Sequence, residues 1–423
     1  MALQGPFAVI ADNQAPDVVD ALRAAGAFPI IEATWTDAPG ALAAVEPEAV
    51  VLAEPCADRS HAAALTKLLA EQRKAGDGLY MPVVARTRDD AAPVIPDALT
   101  TAASASPERL VRRLSTALRV RHLHGTVLRR TRTLTSRGEV LPELPASDPL
   151  DDASVLVAGR GRSYPALSVA VGERVGVVGA LSVESAARAL NVRDIDGMVI
   201  GDGFSPKIVE ALLTVLAEDV RFRDLPVVGL GGHPAVIEPF AIELANLERI
   251  AEGPERLVER FLPYVRVHAF GQRLKRMLKS LDAKGMIDPD TGLLVHDAFW
   301  RDLNRAVDAA EKRGVGLSIA RFSFEKGDRR IGLDAARLVG RLMRQIDFAC
   351  READNSIFAV FTETDLRAAH VVARRIASVL KNTMLAPDSK RSGLDAEVTL
   401  ATLKPTDSVD SLIARVVGEV AVG

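Results

Sequence analysis

Short apolar runs alternate with stretches of helical periodicity along the front of the chain. Phe7–Ala11, Ala49–Ala53 and Met81–Ala85 are runs of the kind that cross a buried parallel sheet, and Pro16–Gly26 and Ser60–Lys74 carry apolar residues at helical spacing. The order then starts again. Ser154–Ala158, Val175–Val178, Gly197–Ile200 and Leu225–Gly229 read as strands, and Glu184–Leu190 and Pro206–Glu218 as helices. Both stretches end this alternation on a Pro-Val-Val phrase, so the front half is an internal duplication at domain scale. Helical stretches close each copy, Pro107–Leu123 in the first and Pro254–Lys284 in the second. Between the copies, 129–152 holds Gly138, Pro142, Pro145 and Pro149 and reads as a linker.

Behind Asp288 the pattern changes. Ala298–Arg313, Asp334–Arg344, Asp365–Leu380 and Ser408–Val420 read as helices, and Gly316–Phe322, Ile357–Phe361 and Ala396–Leu403 as strands, two helix-strand alternations joined by a central hairpin. The expected organisation is two α/β domains with parallel sheets, at 1–128 and 153–284, followed by an α+β domain at 285–423.

Composition narrows the function classes. A net charge of -3 gives no whole-chain field that favours nucleic acid, and an aromatic fraction of 4% argues against base-stacking platforms. The two cysteines, Cys56 and Cys350, are far apart, with neither metal-ligand spacing nor a disulfide framework, which fits a reducing cytoplasm. The N-terminus lacks a basic region before an apolar stretch, and no apolar run reaches the roughly 18 residues of a membrane span. His122 and His124 have no metal partners at suitable spacing, and Gly229-Leu-Gly-Gly232 lacks the further glycine or lysine of a phosphate loop.

Two local phrases carry a family resemblance. Asp288-Pro-Asp-Thr-Gly-Leu-Leu resembles the opening DxLTGLxN phrase of GGDEF domains, the diguanylate cyclases. Arg344-Gln-Ile-Asp-Phe-Ala-Cys-Arg351, followed by Glu-Ala-Asp-Asn-Ser-Ile357, is similar to the family's RxxD stretch and the hairpin behind it. The duplicated front half resembles response-regulator receiver domains, which are flavodoxin-like. The full order, receiver-receiver-GGDEF, is that of the PleD type.

The resemblance implies a cyclase site that has lost its parts. Joining two GTP molecules requires carboxylates for Mg²⁺ and glycines that let backbone approach phosphate. The hairpin positions are Ala353, Asp354, Asn355, Ser356 and Ile357. The other metal carboxylate corresponds to Arg321, a charge reversal, and the guanine-reading Asn corresponds to Val295, which has no amide. The phosphate loop is contracted to Glu325–Gly332. The resemblance therefore implies no catalytic residues, no metal and no cofactor.

The family's product-inhibition motif is intact as Arg344 and Asp347, expected at a helix end with both side chains on one side. Arg offers a planar fork for the O6/N7 edge of guanine, and Asp accepts from the N1 and N2 donors. Arg375 matches a further family arginine, with Arg374 beside it. The ligand implied is cyclic di-GMP. In the receiver-like copies the phosphoacceptor positions fall on Ala53 or Glu54, and on Gly201 with Asp202 adjacent. Asp12 is a lone acid where a pair is needed, and Ala158-Gly159-Arg160 replaces the second pair. Phosphotransfer is not expected in either copy.

The leading expectation is thus a cyclic di-GMP effector and adaptor: dimeric, cytoplasmic with a polar position, recruiting proteins for regulated proteolysis by resemblance. A ligand-independent dimeric scaffold and a weak residual cyclase are the alternatives.

Overall fold

The computed structural model describes residues 3–45, 47–56, 58–75, 78–88, 95, 97–135, 138–139, 141–145, 150–230, 234–250, 253–313, 315–324, 329–344, 346–382 and 395–418. The chain forms two units. One takes residues 1–129, 146–187 and 195–274; the other takes 130–145, 188–194 and 275–423.

The first unit holds two parallel sheets. In the first copy β1 (Gln4–Ile10), α1 (Pro16–Ala24), β2 (Phe28–Ala33), α2 (Ala38–Val45), β3 (Ala49–Leu52), α3 (Arg59–Ala75), β4 (Val83–Thr87), β5 (Leu99–Ala102) and α4 (Pro107–Thr135) follow in order. The strands lie as β2-β1-β3-β4-β5. The second copy runs β6 (Ser154–Ala158), α5 (Tyr164–Gly172), β7 (Gly176–Ala180), α6 (Val183–Val192), β8 (Gly197–Ile200), α7 (Pro206–Glu218), β9 (Val227–Leu230), α8 (Pro234–Ile237), β10 (Leu247–Ile250) and α9 (Pro254–Asp282), in the order β10-β9-β8-β6-β7. Two parallel five-stranded sheets with flanking helices are the receiver-like fold class expected from the sequence. The central strands are buried along their whole length, Val50, Val51, Val155, Leu156 and Val157 among them. That explains their unbroken apolar runs, and each such side chain contributes about 1.5–3 kcal/mol of burial.

Register sets where chemistry could sit. Ile10 pairs with Leu52 and Ala158 with Ile200, so residues 11–13 end beside 53–54 and residues 159–161 beside 201–202. Those strand ends are where open α/β sheets place ligands.

The two copies are joined by a repeated helix. Both α4 and α9 have 29 residues and open on the same five, Pro107-Glu-Arg-Leu-Val111 and Pro254-Glu-Arg-Leu-Val258. Their seventh residues, Arg113 and Arg260, meet at one carboxylate: Glu248 on β10 lies 2.6 Å from Arg113 and 3.7 Å from Arg260. The Arg113 contact sets charge against charge, because the guanidinium N–H groups are directed at the carbonyls of Thr100, Ala245 and Leu247. Tyr264 of α9 is buried in the first copy's core and hydrogen-bonds the Thr100 carbonyl. Burial pushes its phenol up to about 12. α4 runs to Thr135, into the segment expected to be linker, and its outer arginines are tied down: Arg119 to Asp224 at 2.6 Å and Arg121 to Glu48 at 2.5 Å.

The second unit carries α10 (His296–Arg313), β11 (Leu317–Phe324), α11 (Arg329–Leu342), β12 (Phe348–Arg351), β13 (Ile357–Thr362), α12 (Leu366–Lys381), β14 (Ala396–Thr402) and α13 (Val409–Val417). Its antiparallel sheet has the order β12-β13-β11-β14 with helices packed on it, a GGDEF-like fold. α12 begins where the Asp365 side chain accepts from the Ala368 N–H, and Ala369, Ala373, Ile376 and Leu380 face the core. Among the described residues, no helix is long and apolar enough to cross a membrane, and no three potential metal-ligating side chains cluster.

Candidate functional site

The Asp288–Leu293 phrase builds a turn. The Asp288 carboxylate accepts from the Asp290 N–H (3.0 Å) and the Thr291 hydroxyl (2.6 Å), and the Gly292 N–H reaches the Asp288 carbonyl (2.8 Å). Gly292 has φ of 76°, where a side chain would be strained. The phrase is therefore satisfied as local structure. Val295 follows it, half-buried, and offers only methyl groups.

The β12–β13 hairpin has Arg351 opposite Ile357. At its turn the Asp354 carboxylate accepts from the Ser356 N–H (2.9 Å) and hydroxyl (2.6 Å). From β11, Arg321 reaches across and donates to Asp354 at 2.8 Å, its guanidinium lying over the Phe358 ring. Burial acts to raise the Asp354 pKa, but the Ser356 and Arg321 contacts outweigh it and hold the carboxylate below its ordinary range. Asn355 has φ of 67° and accepts from Arg351 at 2.8 Å. α11 comes so close that a Cβ on Gly332 would lie 2.8 Å from the Asn355 side-chain oxygen. Ala353 is exposed beside the turn, and Ser356 and Ile357 are buried. The expected contraction at Glu325–Gly332 falls partly on 325–328, which lie outside the described residues. Asp334, a neighbouring carboxylate on α11, is 3.8 Å from Arg337, and burial pushes its carboxyl up.

Sequence reasoning passed over a polar cluster behind this hairpin. His296 Nδ1 lies 3.0 Å from Glu352 and accepts from the Trp300 indole N–H at 3.2 Å, while the Cys350 thiol donates to Glu352 at 3.4 Å. Its signal was the i, i+4 pair His296 and Trp300. Burial pushes the Cys350 thiol up, so the group is inert.

Arg344 and Asp347 are not on a helix. α11 ends at Leu342, and the motif forms the turn into β12, closed by the Asp347 N–H on the Arg344 carbonyl at 3.1 Å. The cause is the Asp347 carboxylate, which accepts from the Thr362 N–H at 3.1 Å and from the Arg344 N–H at 3.4 Å, drawing the chain off the helix onto β13. Burial pushes its carboxyl up. The Arg344 side chain is exposed and has no ion-pair or hydrogen-bond partner among the described residues. Arg375 of α12 donates to the Leu342 carbonyl at 3.1 Å, which brings its guanidinium to the same helix end. The structure therefore places Arg344 and Asp347 in one turn and Arg375 at the helix end that leads into it. Arg374 faces another way, into a surface depression of α12.

The receiver-like strand ends are occupied by their own side chains. Glu54 accepts from the Asn13 backbone and amide at 3.1 and 3.2 Å, Asp12 accepts from the Trp35 N–H at 3.1 Å, and Ala53 is buried. In the second copy Asp202 accepts from the Ser163 N–H and hydroxyl, which keep its carboxyl below the ordinary range. Gly201 is buried beneath it. A Cβ on Gly161 would strike the Asp202 carboxylate.

No family model matches the chain, and no curated protein matches it. Solved structures do. The coiled coil and GGDEF domain of DgcB from Caulobacter crescentus, in complex with c-di-GMP, is 21% identical, with 34% of this chain and 84% of that chain covered and a TM-score of 0.30. The FimX GGDEF domain from Pseudomonas aeruginosa is 17% identical over 31% of this chain and 90% of that one, with a TM-score of 0.29. Diguanylate cyclase SiaD, in complex with its activator SiaC, also from Pseudomonas aeruginosa, is 16% identical over 35% and 64%, with a TM-score of 0.29.

Proposed function

We propose that the chain is a catalytically inactive cyclic di-GMP receptor that acts as a signalling adaptor. The observation that carries the reading is a contrast within one domain. At the hairpin, the positions that would have to hold Mg²⁺ and triphosphate carry other groups: Arg321 stands where a metal carboxylate is needed and pairs with Asp354, which stands where a glycine is needed. A bound cation adjacent to that guanidinium would meet repulsion rather than a ligand. At the α11–β12 turn the reverse holds. Arg344 is unpaired, Asp347 presents a half-buried carboxylate, and Arg375 is anchored beside them.

Two arginine forks and an acceptor suit a ligand with guanine edges and phosphates. Arg344 would read O6/N7, Asp347 the N1 and N2 donors, and Arg375 a phosphate or second guanine. Asp347 spends one oxygen on Thr362 and the other, weakly, on Arg344, so it needs no rearrangement to accept further hydrogens. Self-satisfied receiver-like strand ends support a packing role for the front half, with Ala53, Glu54, Gly201 and Asp202 outside any phosphotransfer. The whole order resembles the PleD type and its degenerate cousin PopA, and that resemblance extends the reading to a dimeric adaptor, at the cell pole, that recruits proteins for regulated proteolysis. Occupation of the turn would shift the equilibrium between adaptor states by its differential affinity for them.

The test pairs two assays on the full chain. Incubation with GTP and Mg²⁺, followed by chromatography, yields no linear or cyclic dinucleotide, and fluorescent cyclic di-GMP gives a saturable anisotropy rise. Dinucleotide formation, or a flat anisotropy trace, overturns the reading.

A further inference from the structure

The outer face of α12 is unlike that of an ordinary surface helix. Leu366, Arg367, His370, Val371 and Arg374 fall at i, i+1, i+4, i+5 and i+8 and share one side, opposite the core-facing Ala369, Ala373, Ile376 and Leu380. Between their side chains lies a depression of about 520 Å³. A helix that packs one stripe on a core is expected to be polar on the other. Here Val371 is 66% exposed and Leu366 48%.

The charge is equally one-sided. No carboxylate lines the depression, and neither Arg367 nor Arg374 has an ion-pair partner among the described residues. This stands against a chain whose net charge is -3, and against α4, where Arg109, Arg113, Arg119 and Arg121 each face a carboxylate. Exposed apolar side chains ringed by unpaired arginines match the composition of protein interfaces: apolar at the centre, arginine-rich, and complementary in charge to the partner.

We propose that this face docks an acidic segment of a partner protein, with an apolar side chain seated between Leu366 and Val371 and carboxylates against Arg367 and Arg374. His370 lies between the two arginines and offers a further polar contact. The proposal rests on the adaptor reading, but not on the dinucleotide: Arg367 and Val371 lie outside the Arg344, Asp347 and Arg375 cluster.

The probe is a short fluorescein-labelled helical peptide with leucines on one face flanked by glutamates, added to the full chain. Anisotropy rises saturably, and the affinity falls at least about tenfold in Val371→Asp and, separately, in Arg367→Glu. It also falls with added salt. A peptide with lysines in place of the glutamates does not bind. Both substituted residues are solvent-exposed, and both variants bind cyclic di-GMP as the parent does.

Absence of binding by the glutamate peptide, equal binding of the two peptides, or unchanged affinity in both variants overturns the proposal. So does self-association in ultracentrifugation that disappears in Val371→Asp, which would make a second copy the occupant. Loss of cyclic di-GMP binding in these two variants would assign the face to the dinucleotide instead. Peptide failure with dinucleotide binding retained removes the docking surface and leaves the receptor standing.

Discussion

Removing Glu248 isolates the force that joins the two receiver-like copies. Its side chain is 7% exposed and faces three cations: Arg113 at 2.6 Å, Arg260 at 3.7 Å and Arg109 at 3.8 Å, whose side chains are 0, 4 and 11% exposed. Guanidinium does not give up its proton in proteins, so Glu248→Ala removes the carboxylate that faces the fully buried Arg113 and leaves that charge uncompensated. Breaking a buried pair in this way costs about 3–5 kcal/mol, against at most about 1 kcal/mol for an exposed one. Glu248→Gln keeps the shape but not the charge and should lose nearly as much. The assay is urea unfolding followed by the fluorescence of Trp35, which is buried in the first copy, with Trp300→Phe to remove the other indole. With a slope of about 3 kcal/mol per molar urea, the midpoint falls by roughly 1–1.7 M. The reporter sits in one copy and the substitution in the other, so the shift also measures their coupling. A loss under about 1 kcal/mol, or a Trp35 transition that ignores the substitution, would show that Glu248 does not hold the two copies together.

Three further outcomes follow from the same geometry. Arg321→Asp removes the Asp354 ion pair and places two carboxylates together, yet GTP turnover stays absent because Ala353, Asn355 and Ser356 still replace the hairpin's glycine and carboxylate positions; any dinucleotide product contradicts this. His124 is buried, accepts from the Tyr80 N–H and meets the Phe270 ring edge, and burial, with Arg121 adding to it, holds it down to about 4. The fold favours the neutral ring, so this stability is complete above pH 6.5 and is lost progressively as pH falls towards 4, about 3 kcal/mol at most. His124→Gln should flatten the unfolding midpoint between those pH values, and an unchanged slope counts against the assignment. Beryllofluoride with Mg²⁺ should leave the amide spectrum around Glu54 and Asp202 unshifted, because Asp12 is a single acid after β1, Gly159-Arg160 replaces the acids after β6, and Glu54 and Asp202 already accept from Asn13 and Ser163.

The buried strands were legible because each is apolar along its whole length, which is why Ser154–Ala158 and Gly197–Ile200 match the structure at both ends. Edge elements were not. β2, Phe28-Pro-Ile-Ile-Glu-Ala33, is half-exposed and mixes a proline and an acid into its run. β10 was hidden by Glu248, a charge in a strand that is tolerated because arginines distant in sequence, Arg113, Arg260 and Arg109, face it. The copies' shared Pro-Glu-Arg-Leu-Val opening is visible in the sequence, but its consequence appears only once Arg113 and Arg260 converge. In the candidate site the residue types were readable, whereas the geometry of Arg344 and Asp347 was not. Helical spacing and a turn both bring residues three apart together, and the deciding hydrogen bond comes from Thr362, fifteen residues further on.

On the proposed reading, Arg344, Asp347 and Arg375 bind cyclic di-GMP in a domain that does not make it. Calorimetric titration of the full chain with cyclic di-GMP, beside Arg344→Ala, is the decisive measurement. The parent is expected to bind at micromolar or tighter affinity, equivalent to about -8 kcal/mol or better, and the variant not at all. No heat from the folded parent, or equal binding in both proteins, would contradict it.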